Sequence, residues 1–342
     1  MFISKRPIPD LEHLALAVGL RPEYLRDVAA RRSDPYHEFQ VAKARGSVRT
    51  IAAPEPDLAK AQRWILDNMF LGSHAGGRSF AYRKGVSVKD CATVHVGARW
   101  LVKLDLQDFF HSIDSRRVAR IFRKVGCDEV TSVQLARLCT RRNSGSIGQL
   151  AGPTPLDYLP QGAPTSGMLA NLAAENLDRS MSRLASRTAL KYTRYSDDLT
   201  FSSEEDFSRA SAFALIRGAR GEIARNHFSM HEDKIRISPP GSRLVVLGLL
   251  VDSDRVRLRG DFKKTLKWHV YGCARFGPNE YSASRGYASV EDYQSHVGGL
   301  FAHAVDIEPE WAAPLQRSWK ELTAAQAEAA SAGSLVVSAS GD

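Results

Sequence analysis

The sequence predicts an α+β protein in which helices pack around short β-strands. Two observations predict this class: segments with the apolar spacing of helices recur along the chain, and short runs rich in β-branched and aromatic residues lie between them. With 342 residues, 43% of them hydrophobic, the chain can bury a substantial core and form two or three lobes.

Composition narrows the possible functions. The net charge of +9 suits a polyanionic partner, either nucleic acid or an acidic membrane surface. The four cysteines are widely spaced and contain no Cys-x-x-Cys pair, so neither a zinc site nor a disulfide framework is predicted. No apolar run approaches the roughly 18–20 residues that span a membrane, and the first residues lack the apolar core of a signal peptide. We therefore expect a cytoplasmic chain with no membrane partner.

The predicted helices and strands follow from these patterns. In the first helix, for example, apolar residues from Leu11 to Val18 share one face, and Gly19 ends the helix. The predicted order is helices 11–20 and 22–30, strands 36–43 and 48–51, helices 58–71 and 88–98, strand 100–106, helix 116–142 with a break near Gly126, helix 168–185, hairpin 191–202, helix 207–228, strands 234–237 and 244–251, helix 261–276 and further helices to about 330.

The first predicted hairpin carries three cations around its turn, Lys43, Arg45 and Arg49. A basic ribbon of this kind can grip a triphosphate or a nucleic-acid backbone, although solvated surface charges explain the same pattern. The glycine-rich stretch 76–87 follows and mixes Arg78 with aromatic residues, a composition that suits contact with phosphates and bases. It is not a Walker loop, because the sequence contains no Gly-x-x-x-x-Gly-Lys.

Acidic residues lie at the ends of two predicted strands. Asp105 lies near the end of the apolar run 100–106, and Asp197 and Asp198 form the tip of the later hairpin. Adjacent carboxylates raise each other's pKa unless a cation lies between them, so the tip is a candidate Mg²⁺ seat. An isolated Asp-Asp pair is usually an ordinary turn. The β-rich flanks and the third acid favour a site.

Two further stretches suggest ligand binding. The turn 161–166, Gln-Gly-Ala-Pro-Thr-Ser, precedes a helix that Ser166 is expected to cap, and such a turn brings backbone N–H groups towards a ligand. The helix 261–276 is basic and amphipathic, and it carries Lys263, Lys264 and Lys267.

The succession of these motifs resembles that of reverse transcriptases, and among bacterial members it most resembles the retron type. The resemblance spans roughly residues 10 to 305. The motifs that carry it are Lys43-x-x-Gly46-x-x-Arg49-x-Ile51-x-x-Pro54, Asp105-Leu-Gln-Asp-Phe-Phe110, Gln161-Gly-Ala-Pro-Thr-Ser166, Tyr195-Ser-Asp-Asp198, Lys234 and Gly248.

Two retron marks are altered in this sequence. The block usually written Asn-Ala-x-x-His is Cys91-Ala-Thr-Val-His95, and the triplet usually written Val-Thr-Gly is Val246-Leu-Gly248. The resemblance associates both positions with the retron's own structured RNA. Another defence-associated or group II-like bacterial reverse transcriptase therefore stays an alternative, although no Cys/His zinc segment or endonuclease-like extension is expected.

The resemblance implies a right-hand polymerase fold with fingers, a palm containing an antiparallel sheet, and a helical thumb. The implied limits are an N-terminal helical segment at 1–35, fingers at 36–100, a palm at 101–252 with a finger-derived insertion at about 116–160, a thumb at 253–330 and a disordered tail at 331–342.

The resemblance also implies the roles of individual residues. Asp105, Asp197 and Asp198 would hold two Mg²⁺ ions, or Mn²⁺, about 3.5–4 Å apart, and Lys234 would protonate pyrophosphate. Phe110, or Phe109 if the register is off by one, would reject a 2′-hydroxyl. The other implied contacts are Lys43, Arg49, Leu106 and Gln161 for the dNTP, and Arg78, Gly162, Tyr195, Lys263, Lys264 and Lys267 for primer and template.

The function that follows is RNA-directed DNA synthesis of the retron type. The chain would copy part of a structured non-coding RNA into DNA, with dNTPs as substrates and an RNA–DNA product, and it would serve antiphage defence with a separately encoded effector protein. The alternative from a different class is a non-catalytic RNA-binding module that keeps the fold. The presence of all three aspartates speaks against that alternative.

Overall fold

The computed structural model describes residues 8, 10–42, 48–70, 77–143 and 156–338 and divides the chain into two compact units, Met1–Ser242 and Arg243–Asp342. The division falls before position 252, where the predicted palm ends, and the limits of fingers, palm and thumb stay predictions. Among the described residues, no helix has both the length and the apolar character that crossing a lipid bilayer requires.

The longer elements of the first unit follow the predicted order of helices and strands. Three two-residue strands, at 141–142, 157–158 and 229–230, were not predicted, and the first of them stands where helix 116–142 was expected to end. The helices that the structure describes there are α1 (Leu11–Val18), α2 (Pro22–Ala29), α3 (Pro56–Met69), α4 (Val88–Thr93), α5 (Ser115–Lys124), α6 (Glu129–Cys139), α7 (Ser166–Ala173), α8 (Glu175–Arg187) and α9 (Arg209–Arg225). The strands are β1 (Tyr36–Ala42), β2 (Val48–Pro54), β3 (Trp100–Gln107), β4 (Arg141–Arg142), β5 (Asp157–Tyr158), β6 (Lys191–Tyr195), β7 (Asp198–Ser203), β8 (Ser229–Met230) and β9 (Arg236–Ser238).

An antiparallel sheet organises the first unit. Its strand order is β6-β7-β3-β8, and β9 also pairs with β3. The central strand β3 buries Leu101, Val102, Leu104 and Leu106, as its apolar sequence predicts. Strand β9 begins only at Arg236, because the preceding residues 232–234 form a 3₁₀ turn. The prediction that placed Lys234 on a strand was therefore wrong.

The predicted helix 168–185 is two helices, α7 and α8, with Ala174 between them. Ser166 does not cap α7, because it is the first helical residue and its side chain is 2% exposed. Its Oγ has no hydrogen-bond partner among the described residues. The apolar positions of both helices, including Leu169 and Met181, nevertheless reach the core as the spacing predicts.

One hydrophobic core joins the sheet of the first unit to its helices, including α1 and α2 through Leu14 and Leu25. Phe70 and Phe122 meet within it at a ring-centroid distance of 5.5 Å. Burying one such side chain contributes roughly 1.5–3 kcal/mol. The N-terminal helices are therefore part of the packed unit.

The second unit contains a small sheet and four helices in the part that the structure describes. These are β10 (Val245–Val246), β11 (Leu249–Leu250), β12 (Arg257–Leu258), α10 (Gly260–Phe276), α11 (Pro278–Ser284), α12 (Val290–Ile307) and α13 (Pro309–Ser338). The predicted strand 244–251 is a hairpin, because Leu247 and Gly248 adopt positive φ values of 49° and 84° and turn the chain.

Helix α13 extends into the segment 331–342 that was expected to be a disordered tail, and it ends at Ser338. The alanine-rich sequence at 324–330 favours helix, since alanine has the highest helix propensity. Residues 339–342 lie outside the described part of the chain.

Candidate active site

Three carboxylates meet where β3 and β7 run side by side. Asp105 on β3 lies directly opposite Asp198, the first residue of β7, in the antiparallel register. The backbone N–H of Leu106 donates a hydrogen bond of 2.9 Å to the carbonyl oxygen of Asp197. The fold thus brings Asp105 next to two acids that are distant from it in the sequence.

A two-residue turn, Ser196-Asp197, joins β6 to β7. Tyr195 pairs with Asp198 across the hairpin, and Ser196 adopts a φ of 58°. A positive φ at the first turn residue fits a type II′ hairpin turn, in which glycine is usual. A serine in this conformation is strained and persists only where its surroundings hold it.

Tyr82 and Arg194 supply that restraint. The Tyr82 hydroxyl lies 2.9 Å from the Oγ of Ser196, and the guanidinium Nη1 of Arg194 donates to the Ser196 carbonyl oxygen at 2.9 Å. The turn that carries Asp197 is therefore held through both its side chain and its backbone.

Burial raises the pKa of two of the three carboxyl groups. Asp105 is 7% exposed, and burial raises its pKa, while the nearby Lys234 lowers it and Asp197 raises it. Burial raises the pKa of Asp198 to about 6, which Lys103 lowers and the other two aspartates raise. Burial and the neighbouring carboxylates both disfavour the ionised forms of Asp105 and Asp198, and a cation between the carboxylates would offset this.

The donor set fits a hard divalent cation. Within the described residues no group of three or more His, Cys, Asp or Glu side chains is already arranged around a metal position. Carboxylate oxygens are nevertheless the ligands that Mg²⁺ and Mn²⁺ prefer. Lys234 Nζ lies 2.8 Å from Oδ1 of Asp105, so an ammonium now partly neutralises this oxygen. Asp105, Asp197 and Asp198 are the residues that would hold the ions.

Arg194, which was absent from the predicted site, anchors the hairpin from its buried side. Its side chain is fully buried and binds Asp178 of α8 through two bonds, Nε to Oδ1 at 2.8 Å and Nη2 to Oδ2 at 2.7 Å. Tyr192 donates to the same carboxylate at 2.9 Å. A bidentate ion pair with additional hydrogen bonds has a narrow range of geometries. Arg194 is therefore a positioning residue for the acidic turn.

The same network continues into the segment around Arg78. Asn171 of α7 accepts from Arg194 at 3.1 Å and donates to the carbonyl oxygen of Ala81 at 2.6 Å. The backbone N–H of Arg194 donates to the carbonyl oxygen of Arg78 at 2.8 Å. Arg78 is thus held beside β6 by its backbone, with its side chain exposed.

Tyr82 also links this segment to Phe110. The two rings meet edge to face with centroids 5.9 Å apart, and Phe110 is half-buried. Phe109 is 2% exposed and packs against Phe228 at 5.5 Å. Of the two phenylalanines, Phe110 is therefore the one with a surface that a nucleotide could contact.

The other residues predicted to contact the nucleotide differ in how exposed they are. Arg49 is exposed on β2, and Lys43 lies outside the described residues. The carbonyl oxygen of Gln161 accepts from the N–H of Ala52 at 2.8 Å, which ties the turn to β2. Leu106 is 1% exposed, so its side chain belongs to the core and does not face a nucleotide.

Gly162 packs against the same strand. Its φ is 120°, and a Cβ at this position would lie 2.8 Å from Cγ2 of Ile51 and 3.0 Å from the carbonyl oxygen of Ala52. Backbone conformation and close approach both require glycine here. The join between this turn and β2 therefore has little room to vary.

The block Cys91 to His95 is buried. His95 lies 2.7 Å from Oγ of Ser202 and 2.7 Å from Oγ1 of Thr193, and Cys91 Sγ lies 3.5 Å from the same Thr193 oxygen. Burial lowers the pKa of His95 to about 3, so the ring is neutral at neutral pH. These two side chains are buried and contact β6 and β7, so they are held by the protein itself.

In the second unit one of the three predicted duplex-binding lysines forms an ion pair, and the other two are exposed. Lys263 Nζ lies 2.8 Å from Oε2 of Glu308 and 4.9 Å from the ring centroid of Trp311. Lys264 and Lys267 are exposed on α10. Lys263 is therefore engaged in an ion pair, whereas the other two are available to phosphates.

Sequence reasoning missed the residues that position the site. Arg194 stands in a strand-like run, and Asp178 stands among the apolar positions of a helix. Two opposite charges at positions expected to be buried indicate an ion pair, because an unpaired buried charge is costly. Asn171 and Tyr82 have no comparable signal in the sequence.

Several known proteins are similar to this chain. Residues 41–251 match the family described as "Reverse transcriptase (RNA-dependent DNA polymerase)". Retron Mx162 reverse transcriptase of Myxococcus xanthus is 36% identical over 296 residues, which cover 80% of this chain and 60% of that protein, so the chain spans less than two thirds of this relative. Retron Mx65 reverse transcriptase of the same organism is 30% identical over 313 residues, which cover 90% of this chain and 69% of the relative. Retron Ec86 reverse transcriptase of Escherichia coli is 28% identical over 282 residues, which cover 82% and 83%.

Proposed function

Because this chain belongs to the bacterial retron-type reverse transcriptases, we propose that it synthesises DNA on an RNA template. The proposed reaction is attack of a primer 3′-hydroxyl on the α-phosphate of a dNTP, with pyrophosphate as leaving group. The observation that carries the proposal is the cross-strand pair of Asp105 and Asp198, with Asp197 hydrogen bonded beside them through its backbone.

In the proposed site Asp105 and Asp197 are the main ligands of two divalent cations, and Asp198 supports them. When bound, Mg²⁺ or Mn²⁺ stabilises the charge on the attacking and leaving oxygens. The protein contributes a preorganised seat, because Arg194 and Tyr82 hold the turn before any substrate arrives. A pair of cations would also stabilise the ionised form of Asp105 and Asp198, whose pKa burial raises.

Lys234 is the proposed proton donor to pyrophosphate. Its Nζ is hydrogen bonded to Asp105 at 2.8 Å, and its side chain is 51% exposed, so that it borders the site and is open to solvent. Protonation of a leaving group by a positioned ammonium is general acid catalysis. Asp233 precedes it where the family has a second lysine, so Lys234 would act without that neighbour.

The incoming nucleotide would lie between the acidic turn and β2. In this arrangement Arg49 and Lys43 bind the triphosphate, Gln161 and Gly162 flank the new base pair, and Phe110 packs beneath the sugar. The Tyr82 ring limits how far Phe110 can turn aside. A bulky ring at this place would reject the 2′-hydroxyl of a ribonucleotide by steric exclusion.

The primer and template would contact other exposed groups. Tyr195, half-buried next to the turn, would support the primer end, and Arg78 would contact the template strand. On α10, Lys264 and Lys267 would bind duplex phosphates, whereas Lys263 would have to leave Glu308 to do so.

The proposed template is part of a structured non-coding RNA, and the proposed setting is antiphage defence in the cytoplasm with a separately encoded effector. Similarity to proteins named retron reverse transcriptases supports the proposed RNA template. Sequencing the nucleic acid that co-purifies with the chain tests the proposed template. A covalently joined RNA–DNA product is expected, and RNA without attached DNA would favour another bacterial reverse transcriptase.

Primer extension on a defined RNA template, with dNTPs and Mg²⁺, tests the polymerase function. The wild-type chain is expected to extend the primer, and Asp197→Asn is expected to abolish extension because it removes a proposed cation ligand. Asp206→Asn is the matched control, since this acid is exposed and forms an ion pair of 2.9 Å with the surface residue Arg99. Phe110→Ala should increase the use of rNTPs relative to dNTPs.

Three results would overturn the proposal. They are no extension by the wild-type chain, full extension by Asp197→Asn, and preferential use of rNTPs by the wild-type chain. The first would favour a non-catalytic RNA-binding module, and the third an RNA polymerase.

A further inference from the structure

A cavity of about 510 Å³ opens between α10 and α11 in the second unit. This volume falls in the range of roughly 300–1,000 Å³ that is typical of ligand pockets. The side chains that line it include Trp268, His269, Tyr271, Phe276, Tyr281 and Arg285. Five of these six side chains carry an aromatic ring, and none belongs to the proposed active site.

The mouth of this cavity exposes large aromatic surfaces. Trp268, Tyr271 and Phe276 are 54%, 53% and 52% exposed, and the rings of Trp268 and Tyr271 meet edge to face with centroids 5.8 Å apart. Burying rings of this size would release a substantial hydrophobic free energy, so their exposure on a helix indicates a binding surface.

Positive charge surrounds these rings. Lys264 and Lys267 precede Trp268 and Tyr271 by one helical turn each, so the four side chains share one face of α10, and all four are exposed. Arg285 borders the cavity from the other side. A ligand that uses this surface is therefore expected to combine flat aromatic groups with negative charge.

Gly272 and His269 belong to the wall of the cavity. A Cβ at Gly272 would lie 2.2 Å from the Tyr281 ring, so the absence of a side chain lets α11 approach α10 closely. His269 lines the cavity, is 4% exposed, and its buried Nδ1 has no hydrogen-bond partner among the described residues. This nitrogen is enclosed by protein atoms, so it is not itself a contact for a ligand in the open cavity.

His269 adds no positive charge to the cavity. Burial lowers its pKa to about 4, so the imidazole is uncharged at neutral pH and can either donate or accept at Nδ1. The positive charge of this surface therefore comes from Lys264, Lys267 and Arg285, and the aromatic side chains of the cavity are left to an uncharged ring such as a nucleobase.

We propose that this cavity binds an unpaired base of the partner RNA, which stacks on Trp268 while the flanking phosphates contact Lys264, Lys267 and Arg285. Single-stranded RNA is recognised in this way, by splayed bases on aromatic rings and basic side chains on the backbone. The choice of RNA as the occupant rests on the proposed function. The site differs from the duplex contacts of the same helix because it reads an unpaired base.

Fluorescence anisotropy with a short fluorescein-labelled single-stranded RNA tests the proposal. Trp268→Ala is expected to weaken binding by about tenfold, since base stacking on a ring contributes roughly 1–3 kcal/mol. Trp268→Phe should retain part of the affinity because it keeps a ring. Phe213→Ala, which truncates a ring on α9 that is 58% exposed, is the matched control and should bind like the wild type.

Two further measurements identify the interaction. An oligonucleotide with abasic riboses at its centre should bind the wild-type chain as weakly as intact RNA binds Trp268→Ala. Its affinity for the wild-type chain and for Trp268→Ala should be the same. A fully paired RNA–DNA duplex should bind both proteins equally. The measurements contain neither dNTPs nor Mg²⁺, so their outcome is independent of catalysis and primer extension reports separately on the polymerase.

The proposal is overturned if Trp268→Ala binds single-stranded RNA like the wild type, or if it loses equal affinity for the duplex. It is also overturned if the wild-type chain self-associates in sedimentation and Trp268→Ala does not, since the occupant would then be a second copy of the chain.

Discussion

The two hairpins of the first unit contrast with each other. In the β1–β2 hairpin most side chains are exposed, among them Phe39 at 51%, Val41 at 45% and Val48 at 52%. In the β6–β7 hairpin Tyr192, Arg194 and most of β7 are buried. The first hairpin is joined to the core near its base, where Tyr36 accepts from Gln62 at 2.9 Å, whereas the second is bound along its whole length.

The difference matches what each hairpin is proposed to do. Carboxylates that hold two cations need positions fixed within fractions of an ångström, and a buried ion pair with hydrogen bonds to the turn can supply this. Cations that attract a triphosphate act over longer distances, so the position of Arg49 on β2 can be fixed less precisely than the positions of the carboxylates. Burial of polar groups is therefore concentrated where the geometry must be exact.

The largest expected effect comes from removing the buried cation of the second hairpin. Arg194→Met leaves Asp178 buried without its partner, and we expect the free energy of unfolding to fall by about 3–5 kcal/mol. Urea unfolding of the wild-type chain and the variant measures this difference in the free energy of unfolding. Arg99→Met is the control, because its pair with Asp206 is exposed and such pairs contribute about 0–1 kcal/mol.

A second substitution sharpens this prediction. Asp178→Leu, added to Arg194→Met, removes the uncompensated charge and should restore part of the lost stability. A double variant that is destabilised by the full sum of the two single effects would show that the ion pair does not explain the loss.

An intermediate effect is expected from His95, which joins Thr193 of β6 to Ser202 of β7. Burial lowers its pKa from 6.5 to about 3, so the unfolded chain binds more protons between these values. Stability is then fully present above about pH 6.5 and falls with decreasing pH, by roughly 2 kcal/mol between pH 7 and pH 5 from this group.

His95→Gln keeps hydrogen-bonding capacity and removes the titration. Urea unfolding at pH 7 and pH 5 should therefore show a smaller loss of stability in this variant than in the wild-type chain. Burial also lowers the pKa of His111 and His269, which add a loss of the same sign in both proteins. Equal losses in the two proteins would exclude His95 as a source of the pH dependence.

The smallest effect on stability, with a selective effect on activity, is expected in the first hairpin. Arg49→Ala should raise the KM for dNTPs by about tenfold, since a hydrogen bond to a charged group contributes roughly 1.5–3 kcal/mol. Its free energy of unfolding should change by less than about 0.5 kcal/mol, because the side chain is exposed. Steady-state primer extension measures the KM.

Gln40→Ala is the control, because Gln40 is exposed on the neighbouring strand, and it should change neither the KM nor the free energy of unfolding. An unchanged KM in Arg49→Ala would remove Arg49 from the triphosphate site.

Much of the fold could be predicted because its signals are local. The apolar run of β3, the helical spacing in α3 and α9, and the paired strands around Asp197 all depend on neighbouring residues, and the structure has each element close to its predicted limits. The match to the reverse transcriptase family confirms the predicted fold class, an α+β right-hand polymerase.

Other features could not be predicted because they depend on distant contacts. The break at Ala174 and the burial of Ser166 follow from how α7 packs, and the pairing of Lys263 with Glu308 joins residues on different helices. Burial of Cys91 and His95 likewise depends on β6 and β7 lying over them. Neither the periodicity of the sequence nor its motifs say which distant residues these side chains contact.

The sequence by itself determined the family, the order of helices and strands, and the identity of the three aspartates, since residue types and their spacing along the chain are sufficient for these. Only the tertiary structure decided that Asp105 lies opposite Asp198, that Arg194 and Asp178 hold the turn, and that α10 and α11 enclose an aromatic cavity. The physical reason is that registers, buried ion pairs and cavities are relations between segments, and they exist only after the chain has packed.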